Sequence, residues 1–220
     1  MLLVRRRSTR LLLAAAAVSV AAAAPAPAEA ATIPCRASSM ASGNQILLAT
    51  PQSVIFRSAR LKEDVACSYR YKRSVRLQAL VCCQFERYAL GSRYIGFTFR
   101  SDAADAEYDD VGVIDLKTGK RISYGSGANV STIGTGAYVR ALVVTAKGTL
   151  AWSQENPDFD ETDPTAGDVS IYSITRGASS PVRLDNGKAG TIDPNSLALS
   201  AGGTKLFWDT SAGPRSAPLK

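Results

Sequence analysis

VGVIDLKTGKRI, residues 111–122, alternates apolar with small or polar positions up to Asp115, turns through Lys117-Thr118-Gly119 and returns through a short basic strand. A period of two with one wet face predicts a β-hairpin, and Gly119 supplies the backbone freedom a tight turn requires. Two other stretches follow the same plan, VACSYRYKRSVRL (65–77) and VSIYSITRGASSPVRL (169–184). All three close on a basic residue followed by an apolar one: Arg76-Leu77, Arg121-Ile122 and Arg183-Leu184. The hairpin is therefore one copy of a repeat.

Working outward, four β-rich segments carry an aromatic near their centres: SVIFRS (53–58), YIGFTFR (94–100), TLAWSQ (149–154) and KLFWDT (205–210). Their aromatics, Phe56, Phe97, Trp152 and Trp208, are 41, 55 and 56 residues apart. Each segment follows another apolar strand, ILLAT (46–50), RYALG (87–91), VRALVVT (139–145) or SLALS (196–200), across a short turn. The predicted unit is an inner apolar hairpin followed by a more polar outer one. Its first two strands are expected to pack on both faces and its last two to keep one face wet. The aromatics are expected to fill the space between units rather than to stack on a ligand.

The unit SLALSAGGTKLFW resembles the inner strands of bacterial TolB-like or WD40-like β-propeller repeats, and VGVIDLKTGKRI is similar to their outer hairpin. The likeness spans about residues 46–219. It implies an all-β, propeller-like architecture of about four antiparallel blades, and a scaffold that by itself assigns no function. The Gly-His and Trp-Asp dipeptides of WD40 blades are not reproduced as a set, since Trp208-Asp209 lies in a second strand. The last outer hairpin, DTSAGPRSAPL, holds two prolines and is expected to be incomplete. Either the 32–45 segment completes a ring or the blades form an open fan. A β-sandwich is the alternative fold that the turn spacing allows, and no window shows the spacing of an amphipathic helix.

The N-terminus has the form of an export signal. MLLVRRRSTR carries four arginines, the fourteen-residue run LLLAAAAVSVAAAA follows, and Ala28-Glu29-Ala30 offers small residues at the positions a signal peptidase inspects. Cleavage is expected after Ala30, leaving a single domain over 31–220, secreted and without a membrane-spanning segment. Loss of four arginines and Glu29 lowers the formal charge from +7 to +4, which removes the support for a nucleic-acid partner. The remaining charge is uneven along the chain: residues 35–100 hold eleven Lys and Arg against three acids, whereas residues 101–220 hold eleven against fifteen. In an exported chain the four cysteines favour disulfides. Adjacent Cys82 and Cys83 are poorly placed to bond each other, so Cys35 and Cys67 are each expected to reach one of that pair.

The chain has no histidine, which excludes Ser-His-Asp and Cys-His nucleophile systems and the usual zinc ligand. GSGANVSTIGTG (125–136) lacks the lysine of a phosphate loop and is expected to be a connection; within it, Asn129-Val130-Ser131 matches a glycosylation sequon. Carboxylates are the remaining candidates, and eleven of nineteen fall in SDAADAEYDD (101–110) and ENPDFDETDPTAGD (155–168). Each stretch joins the second strand of a unit to the third, so both are expected on one rim. Asp105, Glu107, Asp109 and Asp110 are candidates for a ligand face, and Asp158, Asp160, Asp163 and Asp168 for a calcium or cationic-ligand loop. No cofactor other than calcium is implied.

Two functions follow. One is a secreted, non-enzymatic binding module whose loop-bearing face holds another protein or a cell-envelope component. The alternative is a carboxylate-dependent hydrolase of extracellular glycans, which needs two acids roughly 5–9 Å apart, one of them held protonated. Against both stands a plain solvated acidic loop.

Overall fold

The computed structural model describes Cys35 and residues 43–77, 85–103, 106–126, 138–156, 167–188 and 190–220, all within one compact unit, Thr32–Lys220. The expected leader, the sequon, Cys82 and Cys83 lie outside the described residues. Among those residues there is no helix, and every regular element is a β-strand.

The strands form four antiparallel sheets in chain order. The first holds β1 (Gln45–Ala49), β2 (Ser53–Ser58), β3 (Glu63–Ser68) and β4 (Arg73–Arg76). The second holds β5 (Phe85–Leu90), β6 (Tyr94–Ala103), β7 (Ala106–Asp115) and β8 (Lys120–Ser126). The third holds β9 (Tyr138–Val144), β10 (Leu150–Glu155), β11 (Val169–Ile174) and β12 (Val182–Gly187). The fourth has β13 (Ala198–Leu199), β14 (Lys205–Thr210) and β15 (Gly213–Pro218), one strand short, as the proline-rich ending predicts.

Local chemistry repeats with the sheets. In the first turn a hydroxyl substitutes for a backbone acceptor: Thr50 Oγ1 accepts from the N–H groups of Gln52 and Ser53, Thr145 Oγ1 from Lys147 and Thr149, and Ser200 Oγ from Thr204 and Lys205. The turn between third and fourth strands puts one residue in the left-handed region, Gly119 (φ 72°) and Gly177 (φ 81°) in two sheets but Lys72 (φ 49°) in the first.

The sheets stack face to face. Ile55, Ala66 and Val75 of the first meet Ile95, Phe97 and Ile114 of the second. Tyr94, Val111 and Val113 of the second meet Leu150, Trp152 and Ile174 of the third. Ala151, Val169 and Ile171 of the third meet Leu206 and Trp208 of the fourth. Phe97, Trp152 and Trp208 all point back toward the preceding sheet, which is the physical content of the aromatic repeat, and all three are buried. Burying each contributes roughly 2–3 kcal/mol. Close approach is helped at Gly96, where a Cβ would stand 2.5 Å from Leu150 Cδ1 of the next sheet.

No sheet precedes the first among the described residues. Phe56, its repeat aromatic, instead clusters with Val54, Val65, Cys67 and Cys35, and a Cys35–Cys67 disulfide with Cα atoms 5.5 Å apart pins that cover in place. This pairing corrects the expectation that each of these two cysteines reaches Cys82 or Cys83. Across the sheet, Cys67 lies in register with Val54, and the backbone brings Cys35 to that face. At the other end Phe207, on the outer face of the fourth sheet, is 38% exposed. Four stacked sheets, rather than the two of a sandwich, make this fold propeller-like.

A second correction concerns burial within each sheet. The two central strands are the covered ones: β2, β3 and β10 are almost wholly buried, whereas β1 is half-exposed to exposed along its length. A first strand is an edge of its sheet, so neighbouring sheets cover it less completely than they cover the middle.

Candidate functional site

The turns just described come out at one end of the stack. The strand ends that lead from second to third strand, and from one sheet to the next, lie at the other. Of the two acidic stretches, the described parts, 101–103, 106–110, 155–156 and 167–168, lie toward this end, and they are not alike. Residues 101–110 are largely a long hairpin in which β6 and β7 stay paired up to Ala103 and Ala106. Arg100 lies in register with Asp109 and Asp102 with Glu107, so the backbone ladder continues past the point where hydrophobic alternation stops.

Asp109 and Asp110 are 3% and 4% exposed, which overturns the picture of a solvated loop for this pair. Asp109 faces the third sheet, where its Oδ2 accepts from Val139 N at 3.0 Å, at the start of β9. Asp110, one residue on, faces the first sheet on the row of Phe99. Asp168 is also buried; it lies just before β11, receives Lys188 Nζ at 3.2 Å and holds the backbone of Asn156 through its carbonyl at 3.0 Å. Asp109 and Asp168 therefore stand at the same end of the third sheet, linked through the row Val139, Gln154 and Ser170. Glu107 lies in β7. Asp105, Asp158, Asp160 and Asp163 lie outside the described residues. Among the described residues no three His, Cys, Asp or Glu side chains converge on a metal position.

Several polar residues of this end carry no signal of their own in the sequence. Asp64, 1% exposed at the start of β3, receives Arg57 at 2.8 and 3.2 Å and the Tyr88 hydroxyl of the second sheet at 2.7 Å. Burial, reinforced by that bond to a carboxylate, pushes the Tyr88 phenol well above its ordinary value, and the same carboxylate holds the Arg57 guanidinium more firmly protonated. Between third and fourth sheets, Ser153 Oγ donates to Pro194 O. Asp64, Asp109 and Ser153 thus perform one job: each carries a polar tie from a central strand to the entrance of the next sheet. Asp-Val pairs do stand in or just before the third strands of the first three sheets, at Asp64-Val65, Asp110-Val111 and Asp168-Val169, but the ties come from Asp64, Asp109 and Ser153, so that pattern does not mark them. Between second and third sheets, Thr98 Oγ1, Trp152 Nε1 and Gln154 Oε1 are buried without a hydrogen-bond partner among the described residues.

Four antiparallel sheets stacked in chain order define a β-propeller-like scaffold. No family model matches the chain, and no curated protein matches it. Among solved structures it is similar to dihydro-heme d1 dehydrogenase NirN in complex with DHE, at 12% identity and a TM-score of 0.43, over 77% of this chain and 32% of that one. The chain thus spans about a third of that protein's length.

Proposed function

We propose that the protein is an exported, TolB-like or WD40-like binding module that uses its loop-bearing end to hold a protein or cell-envelope partner. The observation behind this reading is how the described acids at that end are used: Asp64, Asp109 and Asp168 are engaged by Tyr88 and Arg57, by Val139 N and by Lys188, as parts of a rigid frame. A frame that locks its carboxylates into blade-to-blade ties supports presentation of loops more than acid–base turnover. The Cys35–Cys67 disulfide supports an extracytoplasmic location. Asp158, Asp160 and Asp163 are the calcium or cationic-ligand part of the proposal, which Asp168 joins only by exchanging Lys188 for the cation.

The test is retention of the labelled protein on a purified cell-envelope fraction, in calcium and in EDTA, alongside turnover on a panel of acidic and neutral glycans. Asp158→Asn, Asp160→Asn and Asp163→Asn should each weaken retention by a few-fold, and more in calcium than in EDTA. Glycan cleavage that disappears with any one of these changes would replace the binding module with the hydrolase.

A further inference from the structure

The opposite end of the stack, which bears the tight turns, has a different character. Turn 69–72 carries Arg70 and Lys72, with Arg73 beside them at the start of β4, and turn 116–119 carries Lys117, with Lys120 at the start of β8; all five are exposed. The two turns touch, since a Cβ on Gly119 would stand 2.9 Å from Arg73 Nη2. The carboxylate among them, Asp115, is already taken by a two-bond pair with Arg93 (2.8 and 2.5 Å) and by Lys117 N at 2.8 Å. Elsewhere Arg57, Arg76, Arg140, Lys188 and Arg215 each lie against a carboxylate. The five cations of the turns have no such partner among the described residues. Two adjoining turns thus gather five exposed cations, three from the basic 35–100 stretch and two from the otherwise acidic remainder.

We propose that this basic end is a docking surface for an acidic polysaccharide. Five like charges on two adjacent turns repel one another, and a partner with regularly repeated anions relieves that repulsion along its whole length. A single small anion would neutralise a fraction of it. The turns also interleave half-buried aromatics with the cations: Tyr69 and Tyr71 flank Arg70, whose guanidinium lies 5.7 Å from the Tyr71 ring centre. A half-buried aromatic beside exposed cations suits a sugar, which offers an apolar C–H face next to its carboxylate. A membrane surface fits less well, because the exposed large apolar residues, Ile46, Val182 and Phe207, all lie outside these two turns. The surface depends only on how the first two sheets stack, so it stands even if the loop-bearing end proves inert.

The experiment is binding of the full chain to polygalacturonate, with inorganic polyphosphate and anionic phospholipid vesicles as comparison arms, across a salt series. Binding to polygalacturonate should weaken steeply with salt. Lys117→Gln/Lys120→Gln should weaken it about tenfold or more, and Tyr71→Leu several-fold. Arg60→Gln/Lys62→Gln removes the same number of exposed charges from the opposite end and should change affinity less than twofold. Equal losses in the two double variants, binding to vesicles alone, or polyphosphate binding as strong as polygalacturonate and indifferent to Tyr71→Leu would each overturn the proposal. Far-ultraviolet circular dichroism and melting of every variant separate lost binding from lost fold.

Discussion

Lys72 holds a backbone angle that its repeat partners Gly119 and Gly177 reach without a side chain. A lysine there carries the steric cost of the left-handed region, about 1–2 kcal/mol, against which glycine loses some backbone entropy on folding. Lys72→Gly is therefore expected to raise stability by about 0.5–1 kcal/mol, read as a higher urea midpoint with an unchanged slope, whereas Gly119→Ala should lower it. The same residue sits in the basic patch, so stability and polyanion affinity should move in opposite directions in this one variant. That Lys72 occupies a glycine position was not legible in the sequence, because SYRYKR contains no turn glycine to mark the place.

At the scale of strands and hairpins, much was legible. SVIFRS and KLFWDT coincide with β2 and β14, because β-rich runs bounded by Ser, Thr and Gly turns leave little freedom in where pairing begins. The 101–110 hairpin was not legible. Its ladder continues through charged cross-strand positions, and a pattern based on apolar alternation loses it where Arg100 meets Asp109. Cysteine pairing was equally hidden, since spacing alone does not say which face a distant segment covers. The turn after β7 also predicts a response to acid. The two bonds from Arg93 hold the Asp115 carboxyl below the usual carboxylate range, against burial, which pushes it up, and the N–H of Lys117 adds to the lowering. A depressed value in the folded protein gives stability that is full above the unfolded carboxylate value, about 4, and is lost as pH falls through the lower folded one. Glu63, lowered by Arg76, acts in the same sense. Arg93→Gln should cost about 1–3 kcal/mol at neutral pH and make the loss of stability below pH 4 shallower, measured by urea unfolding at a series of pH values.

For the molecule as a whole, the disulfide takes the place of a preceding sheet. It closes a loop of 32 residues, for which chain entropy predicts roughly 3–4 kcal/mol. Reduction, or Cys35→Ser, should lower the unfolding free energy by about that amount and raise binding of a hydrophobic dye as Phe56 and Val65 lose their cover. An unchanged denaturation midpoint in reductant would show that the cover holds without the bond. The acidic residues were legible in number but not as individuals: that Asp109 is buried and bonded to the start of β9 depends on a register that only the folded sheets reveal. Because each sheet leans on its immediate neighbours, the described sheets behave as a linear array. Removing or duplicating a terminal unit would disturb a single seam and changing a middle one two, so the three-stranded trailing sheet is where this architecture can lengthen or shorten over evolution with least damage to the remainder.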